Sequence, residues 1–338
     1  MKTTTRSLSN SSPRVAVIGA GISGLICART LIDQGVRVNV FEKSRGTGGR
    51  MATRRTEDGL RFDHGAQYFT VRDEQFQRYV ESWQQDGIVA PWNGRICTLT
   101  DSQIEWKDRN TPRYVAVPGM NAICKHLAIG LDIKYRCKLQ PPLRIDGVWQ
   151  LTDESGELLD EFDCVITSAP AAQSAELLKA SRELSQRAAA TKMSGCWAAM
   201  LAFDKPTELS FDGAFVHNSP LSWIARNSNK PERGDRETWV LHASPDWTDQ
   251  HIDEDANVVQ RKLIDALSAA TRSALPTPIW SACHRWRYAI PLEPLEDRCL
   301  FDETLRLGAC GDWCNGPRVE GAFLSGLAIA DRVLSHFA

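Results

Sequence analysis

The stretch that decides the fold is VAVIGAGISG, residues 15–24 of a 338-residue chain. Residues 15–18 form a continuous apolar run, which is typical of a buried parallel strand. Three glycines follow at once, and apolar residues then recur at helical spacing until Gly35. Valines that alternate with other residues at 36–40 predict a second strand, which ends at Glu42. This order predicts one βαβ unit.

Each glycine of this stretch has a mechanical reason. Gly19 allows the tight turn after the strand, Gly21 lets a pyrophosphate approach the backbone, and Gly24 lets the helix pack close to the sheet. The helix N-terminus supplies free N–H groups and the positive end of the helix dipole. Glu42 lies 18 residues after Gly24, where it is expected to accept hydrogen bonds from an adenosine ribose. The pattern therefore predicts a dinucleotide-binding site.

Two further motifs narrow the choice of dinucleotide. The segment KSRGTGGRM at 43–51 has glycines that bring the backbone close to phosphates, while Arg45 and Arg50 offset their charge. The alternative is a flexible basic loop. Near the C-terminus, GDW at 311–313 and RVEGA at 318–322 precede and open a helix predicted over 319–337.

Together these motifs resemble the flavin amine oxidases and related FAD enzymes. The resemblance implies that Asp312 touches the ribityl and pyrophosphate region, and that the C-terminal helix points its N-terminus at the flavin pyrimidine ring. We find no second GxGxxG, so the substrate itself is the expected electron donor. The residues expected to bind FAD are Gly19, Ala20, Gly21, Ile22, Ser23, Gly24, Glu42, Lys43, Arg45, Gly49, Arg50, Met51, Gly65, Ala66, Gln67, Tyr68, Leu139, Asp312, Val319, Glu320, Gly321 and Ala322.

The expected fold class is α/β, or α+β overall. It is a Rossmann-type FAD/NAD(P)-binding domain with an inserted mixed-sheet substrate domain, like that of amine oxidases and p-hydroxybenzoate hydroxylase. Short strands at 133–137, 149–152 and 158–162 predict a β-meander that returns to the central sheet. We expect a disordered leader at 1–13, the FAD-binding domain at 14–72, 118–172 and 305–338, and the substrate domain at 73–117 and 173–304.

A narrower resemblance begins at DHGAQYFTVR, residues 63–72. With PGM at 118–120, WIARN at 223–227, LHA at 241–243 and RWRY at 285–288, this segment closely resembles the bacterial renalases. That resemblance implies oxidation of NADH and NADPH isomers whose hydride lies on the wrong ring carbon, with the 2-dihydro isomer favoured. Hydride would pass to flavin N5, β-NAD(P)+ would leave, and O2 would be reduced to hydrogen peroxide, as a form of metabolite repair.

The substrate chemistry guides the choice of contact residues. A dihydropyridine needs a hydride acceptor and a flat apolar slot, so no catalytic side chain is assigned. An amine substrate would have to lose a proton, so aromatic walls and a proton route would help it. For every candidate the alternative is a core aromatic or a structural ion pair. The expected substrate contacts are Tyr68, Phe69, Arg72, Trp197, Arg226, His242 and Trp286.

Composition excludes several classes of protein. The formal net charge of −2 leaves no electrostatic footprint for nucleic acid. No apolar run approaches the roughly 20 residues of a membrane helix, and the leader lacks the apolar region of a signal peptide, so a cytoplasmic location is expected. The expected oligomeric state is a monomer or a homodimer, between which the sequence does not choose. The ten cysteines predict reduced, mostly buried thiols. Cys310 and Cys314 have no partner pair or histidine cluster, so no metal is expected.

Monoamine oxidases attach their flavin at a Ser-Gly-Cys segment. In this chain we assign no segment to that role. None of the ten cysteines has another feature that would mark it as the site of covalent flavin attachment. We therefore expect FAD to be bound non-covalently.

Two other functions remain open. One is another oxidase or dehydrogenase of the same fold, acting on an amine, a porphyrinogen or a polyene; a polyene would want a longer apolar tunnel than the sequence suggests. The other is a non-catalytic escort protein without flavin, like the GDP-dissociation inhibitors of small GTPases. Such a protein has no need for an intact Arg-x-GGR loop together with the C-terminal motif.

Overall fold

The computed structural model describes residues 12–108 and 110–338. Most of the predicted leader, residues 1–11, lies outside the described residues. The strands, numbered in chain order, are β1 (Arg14–Ile18), β2 (Arg37–Glu42), β3 (Thr53–Arg55), β4 (Arg61–Asp63), β5 (Val89–Pro91), β6 (Ile96–Thr100), β7 (Gln103–Trp106), β8 (Tyr114–Ala116), β9 (Asp132–Tyr135), β10 (Leu143–Ile145), β11 (Val148–Thr152), β12 (Leu158–Phe162), β13 (Cys164–Thr167), β14 (Met193–Ala202), β15 (Gly213–His217), β16 (Leu221–Arg226), β17 (Thr238–Ala243), β18 (Trp280–Pro291), β19 (Leu300–Asp302) and β20 (Leu307–Ala309).

The α-helices are α1 (Ile22–Asp33), α2 (Glu74–Gln85), α3 (Ala122–Leu127), α4 (Ala171–Leu177), α5 (Arg182–Ala190), α6 (Pro245–Gln250), α7 (Ala256–Thr271), α8 (Asp312–Asn315) and α9 (Val319–Phe337). Short 3-10 turns lie at Gly49–Met51 and Asn227–Asn229. None of the described helices is long and apolar enough to cross a lipid bilayer.

The predicted βαβ unit is confirmed as the centre of a six-stranded sheet. The strand order is β19-β20-β13-β1-β2-β9, and β1 runs parallel to both β2 and β13. Helices α1 and α9 cover one face, and they approach so closely that a Cβ on Gly326 would lie 2.2 Å from the Ser23 carbonyl oxygen. The expectation of a Rossmann-type α/β domain is therefore confirmed.

The predicted β-meander is wrong in one strand. The meander consists of β10, β11 and β12, which form an antiparallel three-stranded sheet. The strand predicted at 133–137 is β9, which instead pairs in parallel with β2, Val40 lying opposite Ile133. A three-residue strand such as β10 is too short to show a recognisable pattern. The prediction therefore assigned β9, the preceding strand, to the meander in place of β10.

A second, seven-stranded mixed sheet carries the other half of the molecule. Its order is β18-β14-β17-β16-β15-β6-β7, with β15 parallel to β6 and the remaining pairs antiparallel. Strand β14 is buried along almost its whole length because α7 covers one face of the sheet. In that layer Leu263 and Leu267 of α7 belong to the same apolar cluster as Trp239 and Leu241.

The proposed division into domains remains a prediction. Two elements lie across its boundaries. Strand β19 pairs with β20 of the six-stranded sheet, and α2 packs on α9, where the Phe76 and Phe323 rings are 5.0 Å apart.

Candidate active site

One large cleft is lined by most of the predicted site residues. Its volume is about 2220 Å³, and it is lined by residues that follow β1, β2, β13 and β20 and by side chains of β16, β17 and β18. Open α/β sheets bind ligands at the carboxyl ends of their strands. Pockets for one drug-sized ligand occupy roughly 300–1,000 Å³, so this cleft has room for a dinucleotide and a second molecule.

The glycine motif behaves at this cleft as its spacing predicts. A Cβ on Gly21 would meet no protein atom within 4 Å, so this glycine faces open space. A Cβ on Gly24 would lie 2.2 Å from the Gly19 carbonyl oxygen and 2.4 Å from Ser168 Oγ, so here the close approach is between protein segments. Gly21 therefore leaves space for a ligand, whereas Gly24 allows close packing between protein segments.

The N-terminus of α1 offers unsatisfied donors to this space. Its cap residue Gly21 has no side chain to bond the first-turn N–H groups. Ser23 Oγ is buried beside the cleft and has no hydrogen-bond partner among the described residues. The basic glycine loop closes over the motif, since the Gly48 N–H donates to the Ala20 carbonyl at 2.9 Å. These features fit a pyrophosphate.

Glu42 is fixed at the edge of the cleft. Its Oε2 accepts from the Ala20 N–H at 2.8 Å, and its Oε1 accepts from the Ser44 N–H at 2.7 Å. A carboxylate has about four acceptor sites, so two remain for the hydroxyl groups of a ligand.

Arg50 joins the two motifs that lie far apart in sequence. It donates to both carboxylate oxygens of Asp312, at 2.6 and 2.7 Å, and to the Ala289 carbonyl of β18 at 3.1 Å. Its charge is therefore compensated within the protein, whereas Arg45 is exposed at the cleft. The bidentate geometry fixes the Arg50–Asp312 pair as a cross-link of the cleft wall.

Most of the predicted cofactor residues line the cleft. Those that do are Gly19, Gly21, Ile22, Ser23, Glu42, Lys43, Arg45, Gly49, Arg50, Met51, Gly65, Ala66, Gln67, Tyr68, Leu139, Asp312, Val319 and Ala322. Ala20, Gly24, Glu320 and Gly321 lie behind this surface. Glu320 instead accepts from the Arg72 and Asp73 N–H groups at 2.6 and 2.9 Å, which ties α9 to the segment after Tyr68.

An aromatic and imidazole wall faces the other end of the cleft. The Trp286 ring stacks on His64, with 5.1 Å between centroids, and His284 meets Trp286 edge-on at 4.4 Å. The Trp286 indole N–H donates to the His64 carbonyl at 2.9 Å, and His242 Nε2 lies 3.2 Å from the same oxygen. Hydrogen bonds thus hold β17 and β18 against the segment that begins at His64.

This wall is neutral at physiological pH. Burial, together with the neighbouring His284, lowers the pKa of His64 to about 4. Burial also lowers the pKa of His242 to about 4. The pKa of His284 is lowered by burial and by the positive charge of Arg54. The rings of this wall therefore present an uncharged surface to the cleft.

A second aromatic group in the cleft contains the predicted contact Tyr68 and two residues that were not predicted as contacts, Trp223 and Phe215. Trp223 lies 5.4 Å from the Tyr68 ring and 4.7 Å from the Phe215 ring, and all three line the cleft. His64 and His284 were missed as well. The signal for His284 was its i, i+2 spacing from Trp286, because such residues share one face of a strand.

Two predicted substrate contacts do not reach the cleft, which corrects the expectation for both. Trp197 points to the opposite face of β14 from Cys196 and donates its indole N–H to the His251 carbonyl at 3.0 Å. Arg226 lies 3.7 Å from both Asp212 and Glu237, in a structural ion-pair cluster. Tyr68, Phe69, Arg72, His242 and Trp286 do line the cleft.

The cysteines are all free, and eight of the ten are buried. Among the described residues no cluster of histidine, cysteine and carboxylate side chains could hold a metal ion. The tripeptide Ser-Gly-Cys does occur, at residues 194–196, and Cys196 lines the cleft, which the sequence analysis overlooked. Burial raises the pKa of the Cys196 thiol to about 12. A protonated thiol is a poor nucleophile, so this site does not favour a covalent link.

Basic side chains outnumber acidic ones around the cleft. The basic residues are Lys43, Arg45, Arg50, Arg54, Arg55, Arg72, Lys138, Arg285, Arg287 and Arg318; the acidic residues are Glu42, Glu57, Asp58, Glu176 and Asp312. Asp312 is already paired with Arg50. The cleft as a whole therefore favours anionic ligands over cationic ones.

Comparison with known proteins agrees with this geometry. A family model described as NAD(P)-binding Rossmann-like domain matches residues 17–83, and one described as flavin containing amine oxidoreductase matches residues 93–334. Renalase from Mus musculus is 26% identical over 310 residues, covering 84% of this chain and 87% of the mouse protein.

Solved structures show the same fold at low identity. A protein from Exiguobacterium sp. 255-15, named provisionally as a protoporphyrinogen oxidase, superposes with a TM-score of 0.79 at 12% identity, covering 96% of this chain and 99% of the other. Putrescine oxidase bound to putrescine gives a TM-score of 0.69 at 12% identity, with coverages of 96% and 99%. The chain belongs to the flavin containing amine oxidoreductase family, as a renalase-like member of the amine oxidase superfamily.

Proposed function

We propose that this flavin-dependent oxidoreductase binds FAD non-covalently and oxidises isomeric dihydropyridine forms of NADH and NADPH to NAD(P)+, with the 2-dihydro isomers favoured. The observation that carries the proposal is the neutral wall of Trp286, His64 and His284 beside the segment expected to face the flavin. The mouse relative, a renalase, supports the same reading.

The chain's own residues would divide the work of binding FAD. Gly21, Ser23 and the α1 N-terminus would bind the pyrophosphate, and Glu42 the adenosine ribose. Asp312 and the N-terminus of α9 would hold the ribityl chain and the pyrimidine edge. When bound, the flavin supplies the hydride acceptor and delivers the electrons to O2, giving hydrogen peroxide.

A dihydropyridine suits the substrate end of the cleft better than an amine does. Its ring is flat and neutral and has no proton to surrender, so stacking on Trp286 and exclusion of water are sufficient. Its phosphates are anionic, and they would lie near Arg54, Arg55 and Arg287. A cationic amine would meet the same arginines with unfavourable energy.

One observation favours a second candidate, an amine oxidase. The Tyr68 and Trp223 rings form an aromatic pair of the kind that attracts cations. A flavin-free escort protein is disfavoured, because the pyrophosphate cradle and the Arg50–Asp312 cross-link are both intact.

The test is anaerobic mixing of the purified holoprotein with 2-dihydro-NAD(P), 6-dihydro-NAD(P) and a panel of amines. Rapid bleaching of the flavin absorbance with one dihydropyridine, with one NAD(P)+ formed per flavin, supports the proposal and identifies the isomer. Bleaching by amines alone would contradict the proposal and indicate that the protein oxidises amines. Acid precipitation should release all of the yellow chromophore, since no covalent link is proposed.

A further inference from the structure

A buried ion cluster lies directly behind the cleft wall. Asp63, Lys230 and Arg233 each have fully buried side chains. Asp63 Oδ2 accepts from Arg233 Nη2 at 2.7 Å and Nε at 3.0 Å, and Lys230 Nζ lies 3.5 Å from the same oxygen. The other oxygen, Oδ1, accepts from Thr53 Oγ1 at 2.7 Å and the Met120 N–H at 2.9 Å. Three separate segments, around residues 53, 120 and 230–233, therefore converge on one carboxylate.

The charges in this cluster do not balance. Two cations share one carboxylate, and within the described part of the chain no second carboxylate is ion-paired with Lys230 or Arg233. Lys230 Nζ faces three oxygen acceptors, on Asp63, Gln67 and Asn227, which matches the three donors of an ammonium group. Burial lowers the pKa of Lys230 to about 8, and the Asp63 carboxylate opposes that shift. One net positive charge is therefore held out of water, which costs free energy.

Only the Gln67 side chain separates the Lys230 ammonium group from the cleft. Lys230 Nζ donates to Gln67 Oε1 at 3.1 Å, and Gln67 lines the cleft. Gln67 in turn donates to the Gly65 carbonyl at 3.0 Å, so the lysine helps to fix the backbone of residues 65–67. Burial lowers the pKa of His242, another lining residue, and the positive charge of Lys230 lowers it further, so the field of the lysine reaches the cleft wall.

We propose that Lys230 is a positioning residue that holds an uncompensated positive charge behind residues 65–68 and thereby favours the reduced, electron-rich state of the bound flavin. Reduction adds negative charge to the isoalloxazine ring, and a fixed cation in a dry interior stabilises that charge without reorganisation. The inference rests on flavin binding and not on the dihydropyridine substrate.

The test is the midpoint potential of the bound flavin, measured by photoreduction against a reference dye with no substrate present. Lys230→Met removes the charge and keeps the length of the side chain. Asn227→Asp adds a carboxylate where Asn227 Oδ1 now lies 3.5 Å from Lys230 Nζ, and so neutralises the excess while keeping the lysine. Lys262→Met on α7 is the control, because Lys262 pairs with Glu254 and lies outside the cleft lining.

Both cluster variants should lose at least tenfold in their preference for reduced over oxidised flavin, about 30 mV for a two-electron couple, and the control should not change. An unchanged potential in a folded, flavin-loaded variant would overturn the proposal and leave the cluster a purely structural role. If Lys230→Met does not fold, Asn227→Asp decides the question, since it alters the charge but not the lysine. Failure of the dihydropyridine proposal would leave these potentials unaffected.

Discussion

At the nucleotide end of the cleft the protein presents backbone, and at the substrate end it presents side chains. Gly21 and the first-turn N–H groups of α1 leave open space for a ligand, and they come from one short stretch of sequence. The wall at Trp286 depends on hydrogen bonds between residues 178 and 222 positions apart. We expect that adding one side chain to the backbone surface at Gly21 abolishes ligand binding. Substituting one side chain of the wall at Trp286 should reduce activity only in part.

The largest effect is expected from Gly21→Val. Its Cβ would meet no protein atom but would fill the pyrophosphate space, so we predict a folded protein whose affinity for FAD falls by about a thousandfold. Titration of the apoprotein with FAD and a thermal melt measure the two properties separately. Gly24→Val is the matched variant; its Cβ would clash with the Gly19 carbonyl at 2.2 Å, so it should lose stability as well. Equal melting temperatures for the two variants would contradict the claim that Gly21 faces ligand space while Gly24 packs against protein atoms.

The neutral wall predicts a specific dependence of stability on acidity. His64 has a pKa of about 4 when folded and 6.5 as the ordinary value, so between these values only the unfolded chain takes up the proton. Stability is therefore full above pH 6.5 and is lost as the pH falls towards 4. The shift corresponds to about 3 kcal/mol, because one pKa unit is about 1.4 kcal/mol.

Urea unfolding at several pH values between 4 and 7 measures that loss. His64→Gln should flatten the curve by most of this amount. A slope identical to that of the unaltered protein would mean that His64 is not held neutral.

At the substrate wall, Trp286→Ala should lower kcat/KM for the dihydropyridine by at least tenfold while FAD remains bound. The reason is loss of the stacking surface and of the bond to the His64 carbonyl. The matched control is Trp197→Phe on the neighbouring strand, whose ring faces away from the cleft. It should lower the melting temperature and leave kcat/KM nearly unchanged; the reverse pattern in the two tryptophans would contradict this assignment of the wall.

The smallest effect is expected at the basic rim. Arg54 is exposed and lines the cleft, so Arg54→Gln should raise KM for the nucleotide about threefold and leave kcat unchanged. High salt should abolish the difference, since exposed charges are screened. Lys107→Gln serves as the control, because Lys107 is an exposed lysine outside the cleft lining. A KM that is insensitive to Arg54 and to salt would show that the phosphates lie elsewhere.

The features that the sequence could predict are those encoded by neighbouring residues, and the features that it could not predict are assembled from residues far apart in the chain. The βαβ unit, helix α9 and the glycine cradle were predicted because their signals are local: periodicity, turn chemistry and spacing over at most a few tens of residues. The strand at 133–137 was wrongly assigned to the meander because β10, the strand that does belong to it, is too short to show a pattern.

Trp197 and Arg226 were placed at the substrate because the sequence does not reveal which face of a buried strand meets the cleft. In β14 nearly every residue is apolar, so alternation is absent; the Trp197 indole is held instead by its hydrogen bond to the carbonyl of His251, which follows α6. His64 and Trp223 were missed for a related reason, since their partners are assembled by sheet pairing over long range. The buried Asp63–Lys230–Arg233 cluster likewise has no local signature.

The most direct test of the account is a single-turnover reaction with 2-dihydro-NAD(P) that carries deuterium at the transferred position of the nicotinamide ring. We predict that loss of flavin absorbance slows with a primary isotope effect and that the NAD(P)+ formed has lost that label. Reduction that is insensitive to the label, or no reduction by any dihydropyridine while an amine reduces the flavin rapidly, would contradict the assignment of this cleft to dihydropyridine oxidation.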